Sequence, residues 1–396
     1  MQPASRIDAV MSFKSRIPYA RLSGFYLLYF AVLGAFIPYW SLYLGARGHT
    51  PAEIGLVLSI PALTKILVPV VWGRFADRHN RLLTVIRSAS LLSLAGFMLM
   101  LWPWDISGLV VVMFCYTFFQ NGIMPLFDTL TLEHLDTDSH HYARIRIWGS
   151  IGFILAVMGI GELLQWRFSV EVLPYLIALL LGGVWVMSLS LPDGVNRHAR
   201  EAGQPLAHIL KRVDVLAFFF ACLLLQFSHG PYYVFFSVYL DSHGYTKREI
   251  GGLWSLGVLA EIILFLFVPV ILRHFTLRVV FISSLMLGGL RWWLLGWAVE
   301  SPLLMVLIQC LHAASFGAAH IAAVHLVQHY FKGLHHGTGQ TLYGSASFGL
   351  GGMLGSLVAG YLWVPLGPHG VYALAGAVSF AGALVAGWGM RKTAFG

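Results

Sequence analysis

The chain has 396 residues, of which 58% are hydrophobic and 11% charged, with a formal net charge of +8 and a mean hydropathy of +0.75. That composition excludes a water-soluble globule, because so few polar residues cannot cover a folded surface, and it defines a polytopic membrane protein. The three cysteines Cys115, Cys222 and Cys310 all fall inside apolar runs, which excludes a disulfide framework. Neither a metal site nor a nucleotide-binding segment stands out, so no cofactor and no nucleic-acid partner is expected.

A membrane-spanning helix needs about 20 predominantly apolar residues. Twelve such runs follow one another, at 22–44, 53–73, 82–103, 108–134, 144–165, 170–191, 214–240, 249–272, 278–298, 302–329, 338–363 and 369–390. Ahead of the first lie Arg6, Lys14, Arg16 and Arg21 without a cleavable small-residue site, which reads as a retained cytosolic tail. The first run carries Trp40 and the second Lys65; the fourth carries Gln120, Asn121 and Asp128, and the fifth Arg146 and Trp148. The longest polar interruption, 192–213, divides an N-terminal six-helix bundle (1–191) from a C-terminal one (214–396). In the second bundle the seventh run holds His229, Tyr232 and Tyr233, the eighth Trp254 and Glu261, the ninth Arg291 and the tenth His312. The glycines from Gly349 to Gly355 sit in an apolar run, where small residues allow close helix approach.

Five of these residues, Lys65, Asp128, Arg146, Glu261 and Arg291, place a charge in a setting where it costs roughly 2.5–3.5 kcal/mol. Such charges persist by pairing or by lining a wet cavity. Three are cations and two are acids, so a cavity holding all five carries one surplus positive charge, which a monoanion relieves. Lys65 or Arg146 is the expected partner of a substrate carboxylate, the first as a point charge and the second as a bidentate fork. Glu261, or else Asp128, is expected to carry a proton, since a carboxylic acid in an apolar helix exchanges one as its contacts with Arg291, Arg146 or Lys65 change. Trp40, Trp148, Tyr232, Tyr233 and Trp254 offer ring faces for a wall, and Gln120 and Asn121 an uncharged polar pair.

The halves are related by a repeat. At a shift of 196 residues, eleven of the twenty-six positions from Ser41 to Ile66 are identical, including Thr50-Pro-Ala-Glu53 against Thr246-Lys-Arg-Glu249, and Lys65 falls opposite Glu261. Both copies join an outward helix to an inward one, as in parallel repeats about the membrane normal. Sixteen basic residues fall on the side of the termini and only Arg47, Arg167, Lys247 and Arg248 opposite, which predicts cytosolic termini.

Between the second and third runs the chain reads Gly73-Arg-Phe-Ala-Asp77-Arg78-His-Asn-Arg81, which resembles the GxxxDRxxR loop signature of the major facilitator superfamily. Tyr142 through Gly152, Gly252 through Glu261, Gly289 through Trp292 and Cys310 through His320 are similar to the phenylpropionate-permease branch of that superfamily, a relative of the lactose permease group. The resemblance implies an all-α membrane protein with twelve transmembrane helices in two six-helix halves. It also implies a proton symporter of the bacterial inner membrane that takes a small organic anion, an aromatic carboxylate such as 3-phenylpropionate; a monomer is expected. In the lactose permease pattern, Asp128 and Arg146 match the substrate-binding pair, and Glu261, Arg291 and His312 match the acid, arginine and histidine of the eighth, ninth and tenth helices. Ser315 stands where that pattern has its proton-carrying acid, and His229-Gly-Pro-Tyr-Tyr233 replaces the acids of the seventh helix, so a sugar is the less favoured substrate. A neutral nucleoside or sugar is the alternative cargo.

Overall fold

The repeat is written into the backbone. Gly48 and Gly244, 196 residues apart, both turn with positive φ, 86° and 82°, the left-handed conformation that suits glycine. Two residues on, the same reciprocal cap starts a helix in each copy. Glu53 N donates to Thr50 Oγ1 at 3.3 Å while Thr50 N donates to the Glu53 carboxylate at 2.8 Å. Glu249 N and Thr246 N make the equivalent bonds at 3.2 and 2.8 Å.

The computed structural model describes residues 17–79, 81–135, 139–193 and 206–390, and these form helices joined by short turns, with no strand among them. The first six spanning helices are α1 (Tyr19–Ala46), α2 (Pro51–His79), α3 (Leu82–Met98), α4 (Ile106–Leu135), α5 (Ser139–Trp166) and α6 (Leu173–Leu189). A single turn at Leu206–Leu210 leads to α7 (Val213–Ser242), α8 (Lys247–His274), α9 (Leu277–Trp297) and α10 (Pro302–Tyr330). The helical stretch Gly337–Gly389 is 53 residues long. As one straight helix it would measure about 80 Å, against a hydrocarbon core of about 30 Å. It breaks at Gly367 (φ 66°, ψ 170°), between Pro365 and Pro368, giving α11 over 336–366 and α12 over 368–389. Twelve helices among the described residues are therefore long and apolar enough to span a membrane.

The segment expected as a loop between the second and third runs is largely helical. α2 continues to His79, because no proline or glycine interrupts 74–79 and the charged residues extend the helix past the apolar edge. Arg81 is the residue preceding α3; the side chains of Asp77 and Arg78 and the surroundings of Gly73 lie outside the described residues, as does most of the polar interruption that divides the chain.

Glycines set the closest helix approaches. Gly34 and Gly230 are again 196 apart, and a Cβ on Gly34 would lie 2.5 Å from Phe153 O of α5, one on Gly230 2.2 Å from the Gly355 carbonyl carbon of α11. So α1 packs on α5 and α7 on α11 through backbone-to-backbone contact, the small-residue packing typical of lipid-embedded helices. The first six helices meet the last six mainly at the face opposite the described chain ends. There a Cβ on Gly55 of α2 would come within 2.6 Å of Gly360 Cα in α11, and Tyr39 Oη fills the space beside Gly161 and Gly251. Tyr39 donates to Val157 O at 2.7 Å, Lys247 N donates to Gln165 Oε1 at 3.1 Å, and Arg248 pairs with Glu162 at 3.5 Å. That face is closed.

Candidate functional site

Two polar centres lie on either side of the boundary between the helix groups. In the C-terminal centre α8 brings Glu261 to α10, where its carboxylate meets His312 Nε2 at 2.8 Å. Directly after His312, α10 widens into a π-helical segment, Ala313–Gly317. The rings of His312, Phe316 and His320 form a near-parallel column, with centroids 5.2 and 6.2 Å apart and planes inclined by 3° and 6°. His320 Nδ1 lies 3.0 Å from Tyr343 Oη of α11. His312 Nδ1 is buried and has no hydrogen-bond partner among the described residues.

Behind this column Arg291 is fully buried. Its Nε donates to Ile308 O at 3.2 Å and its Nη2 to Gln309 Oε1 at 3.3 Å, while Tyr232 Oη donates to the same Gln309 oxygen at 3.1 Å. The guanidinium stacks on Tyr232 and Trp292, 4.5 and 4.3 Å from their ring centres. Its Nη1 is left without a partner, and Glu261 lies within electrostatic range. His229 is buried with Nδ1 2.8 Å from Leu225 O and its ring edge-on to Trp292. Tyr233 is partly exposed and its ring lies near those of His229 and Trp254.

In the N-terminal centre Asp128 of α4 accepts from Tyr26 Oη at 2.5 Å and Tyr142 Oη at 3.2 Å. Arg146 of α5 lies over Phe30 and Tyr26, 4.1 and 5.4 Å from the ring centres. Its charge is in electrostatic range of Asp128 and, across the boundary, of His320.

Lys65 of α2 faces the C-terminal centre across the boundary between the helix groups. It is exposed to solvent although it lies where α2 faces α11. Its Nζ lies 5.8 Å above the ring of Phe348 in a second π-helical segment, Ser345–Gly351 of α11. Among the described residues no carboxylate lies within ion-pair or electrostatic range of it. The neighbouring Thr64 is held by Asn121, whose Nδ2 donates to Thr64 Oγ1 and Pro61 O at 2.8 Å each.

The structure thus brings Lys65, Arg146, Glu261 and His312 toward one region through His320 and Phe348, and places other expected wall residues elsewhere. Trp40 is fully buried in a cluster with Phe36, Tyr43 and Phe97. Gln120 is buried and accepts from Ser93 at 2.7 Å, and Asn121 fastens α4 to α2. Trp148 donates to Tyr19 Oη at 3.0 Å, and that hydroxyl donates to Arg144 O, near the chain-end face. Trp254 is buried and donates to Ser237 Oγ at 2.9 Å. The direct partner of Glu261 is His312, not one of the three cations expected for it. Tyr26, Tyr142, Gln309, Phe316 and Phe348 enter the site without having been singled out from sequence. Among the described residues no cluster of three or more His, Cys, Asp or Glu could hold a metal ion.

Twelve membrane-crossing helices in two repeated sets of six, with ionisable groups held among them, define a membrane transporter and not an enzyme. The chain belongs to the MFS_1 like family, which it matches over residues 19–374. It is 30% identical over 352 residues, 88% of this chain and 91% of the relative, to the probable 3-phenylpropionic acid transporter of Escherichia coli (strain K12). It is 27% identical over 350 residues, 85% of this chain and 86% of the relative, to the maltose permease of Geobacillus stearothermophilus. The crystal structure of the nucleoside transporter NupG superposes with a TM-score of 0.80 at 18% identity, over 95% of this chain and 99% of that one, a likeness of fold alone.

Proposed function

We propose that the protein carries a small organic anion, an aromatic carboxylate such as 3-phenylpropionate, together with a proton across the bacterial inner membrane. The observation that carries this reading is Lys65, a solvent-reached cation within the protein that no carboxylate of the described residues neutralises. A charge held in such a place is costly unless an anion arrives to compensate it. Among the relatives, the one named for an aromatic acid supports that chemistry. Glu261, in contact with His312 at 2.8 Å, is the group assigned to the proton. Arg291 holds the surrounding helices in place, and Asp128 and Arg146 complete the substrate side.

With both termini cytosolic, the closed face described above is the outer one. Transport then consists of rocking the two helix sets about the Lys65 region, so that it reaches each side in turn. The proton gradient supplies the drive, and a single chain suffices.

Uptake of labelled 3-phenylpropionate into proteoliposomes under an imposed pH gradient tests the reading. The expected result is gradient-dependent accumulation, inhibited by other carboxylates and indifferent to nucleosides and maltose. Accumulation of a neutral nucleoside or sugar that carboxylates do not inhibit overturns it. Lys65→Ala is expected to weaken carboxylate binding about tenfold or more, the effect of losing a charge-assisted hydrogen bond, with protein abundance unchanged.

A further inference from the structure

We infer that Phe348 is the residue that selects an aromatic ring, with Phe316 as the edge of the same subsite, and that Lys65 rests on the Phe348 ring until a carboxylate draws it away. The inference depends on the anion reading above and assigns a task to two residues outside the charged set.

Three observations converge on it. First, the two π-helical segments among the described residues, at Ala313–Gly317 and Ser345–Gly351, each contain one aromatic residue, Phe316 and Phe348. Their rings stand edge to face, 6.2 Å apart and inclined by 73°. A π turn gives up regular hydrogen bonding and is found most often where function needs a side chain re-aimed. Second, both rings are partly exposed, whereas Trp40, Tyr39, Tyr232, Phe127 and Phe218 are closed off in the cores. Third, Phe348 makes edge-to-face contacts with Phe316, His320 and Tyr343, and the ammonium of Lys65 lies over its ring. That ammonium belongs to the second helix and the first repeat, so the contact spans the boundary between the halves.

A cation over a ring face is a modest attraction, and a charge-assisted hydrogen bond to a carboxylate is stronger. An arriving acid therefore takes Lys65 from the ring and leaves the Phe348 face open to the substrate's own ring. Lys65 Nζ lies 5.8 Å from the Phe348 ring centre. A carboxylate two methylenes from a phenyl group lies about 5 Å from that ring's centre, from three carbon–carbon bonds of about 1.5 Å and half a ring. With Lys65 drawn off the ring, an arylpropionate of that length can reach the ammonium with its carboxylate while its own ring lies against Phe348.

The test compares displacement of labelled 3-phenylpropionate by unlabelled 3-phenylpropionate and by hexanoate, which has the same charge and no ring. The native protein is expected to favour the aryl acid by about tenfold or more. Phe348→Leu should bring the two acids to within about twofold of each other, and Phe348→Trp should keep the preference. Phe316→Leu should reduce the preference by a smaller factor. Lys65→Ala should weaken both acids by the same factor. A preference that survives Phe348→Leu, with both acids weakened equally or not at all, overturns the subsite and leaves the anion reading standing. Failure of the native protein to bind either acid overturns both.

Discussion

The two halves share a scaffold and differ in chemistry. Their first outer turns superimpose in conformation, with Gly48 and Gly244 in the same left-handed state and Thr50 and Thr246 making the same cap. The acids they carry inward are held differently. Asp128 accepts from two phenol hydroxyls, so its bonds are those of a neutral-donor cage. Glu261 instead meets an imidazole, whose own other nitrogen is unpartnered. The helices around Asp128, α4 and α5, are continuous α-helices, while those facing Glu261 and Lys65 in the second half, α10 and α11, each contain a π segment. Duplication kept the turns that shape the helix ends and let the interior diverge, one half toward a fixed polar cage and the other toward an adjustable site.

The largest expected effect breaks or sharpens that contrast directly. Glu261→Gln should abolish gradient-driven accumulation of the substrate while leaving exchange across proteoliposomes partly intact. Asp128→Asn should reduce accumulation by less than about tenfold, because the amide oxygen still accepts from Tyr26 and Tyr142. Equal losses in the two variants would mean that the halves share the proton task, and an unchanged Glu261→Gln would remove Glu261 from it.

A second pair probes the shared scaffold. Gly34 and Gly230 have backbone atoms of a neighbouring helix where a side chain would start, so Gly34→Val and Gly230→Val should each destabilise the protein by about 1–3 kcal/mol or prevent its accumulation in the membrane. Thermal unfolding in detergent measures this. A tolerant Gly230 with an intolerant Gly34 would show that the second half had relaxed its helix crossing along with its interior.

Much of the architecture can be read without coordinates, for physical reasons that also explain what cannot. Apolar run length reports a span because hydrocarbon thickness is fixed, and Pro365-Leu-Gly-Pro368 marks the break between α11 and α12 because two prolines and a glycine cannot continue one helix. Buried charges stand out by their cost. Facing direction does not, since a helix surrounded by lipid and other helices is apolar all round; Trp40 and Gln120 look like cavity residues in the chain and prove to be enclosed. Which base meets Glu261 depends on helix rotation by a fraction of a turn, and His312 occupies the place that sequence assigns equally well to Arg291 or Lys65. The π segments leave no periodic mark, so Phe316 and Phe348 pass in the sequence as ordinary apolar residues.

The smallest effect concerns the two caps. Thr50→Ala and Thr246→Ala should each cost about 0.5–2 kcal/mol, the usual loss for a threonine cap, and the bond lengths in the two copies differ so little that the costs should match. The surroundings are not identical. His49 lies 3.7 Å from the Glu53 carboxylate in the first copy, whereas in the second Lys247 pairs with Asp241 across the turn. If Thr246→Ala costs clearly less than Thr50→Ala, the Asp241 pair is bracing the second turn in place of the cap. Adding Lys247→Met should then restore the full cost, because the turn would have lost both supports. Equal costs with and without Lys247 would show that the cap alone holds each turn, as the repeat implies.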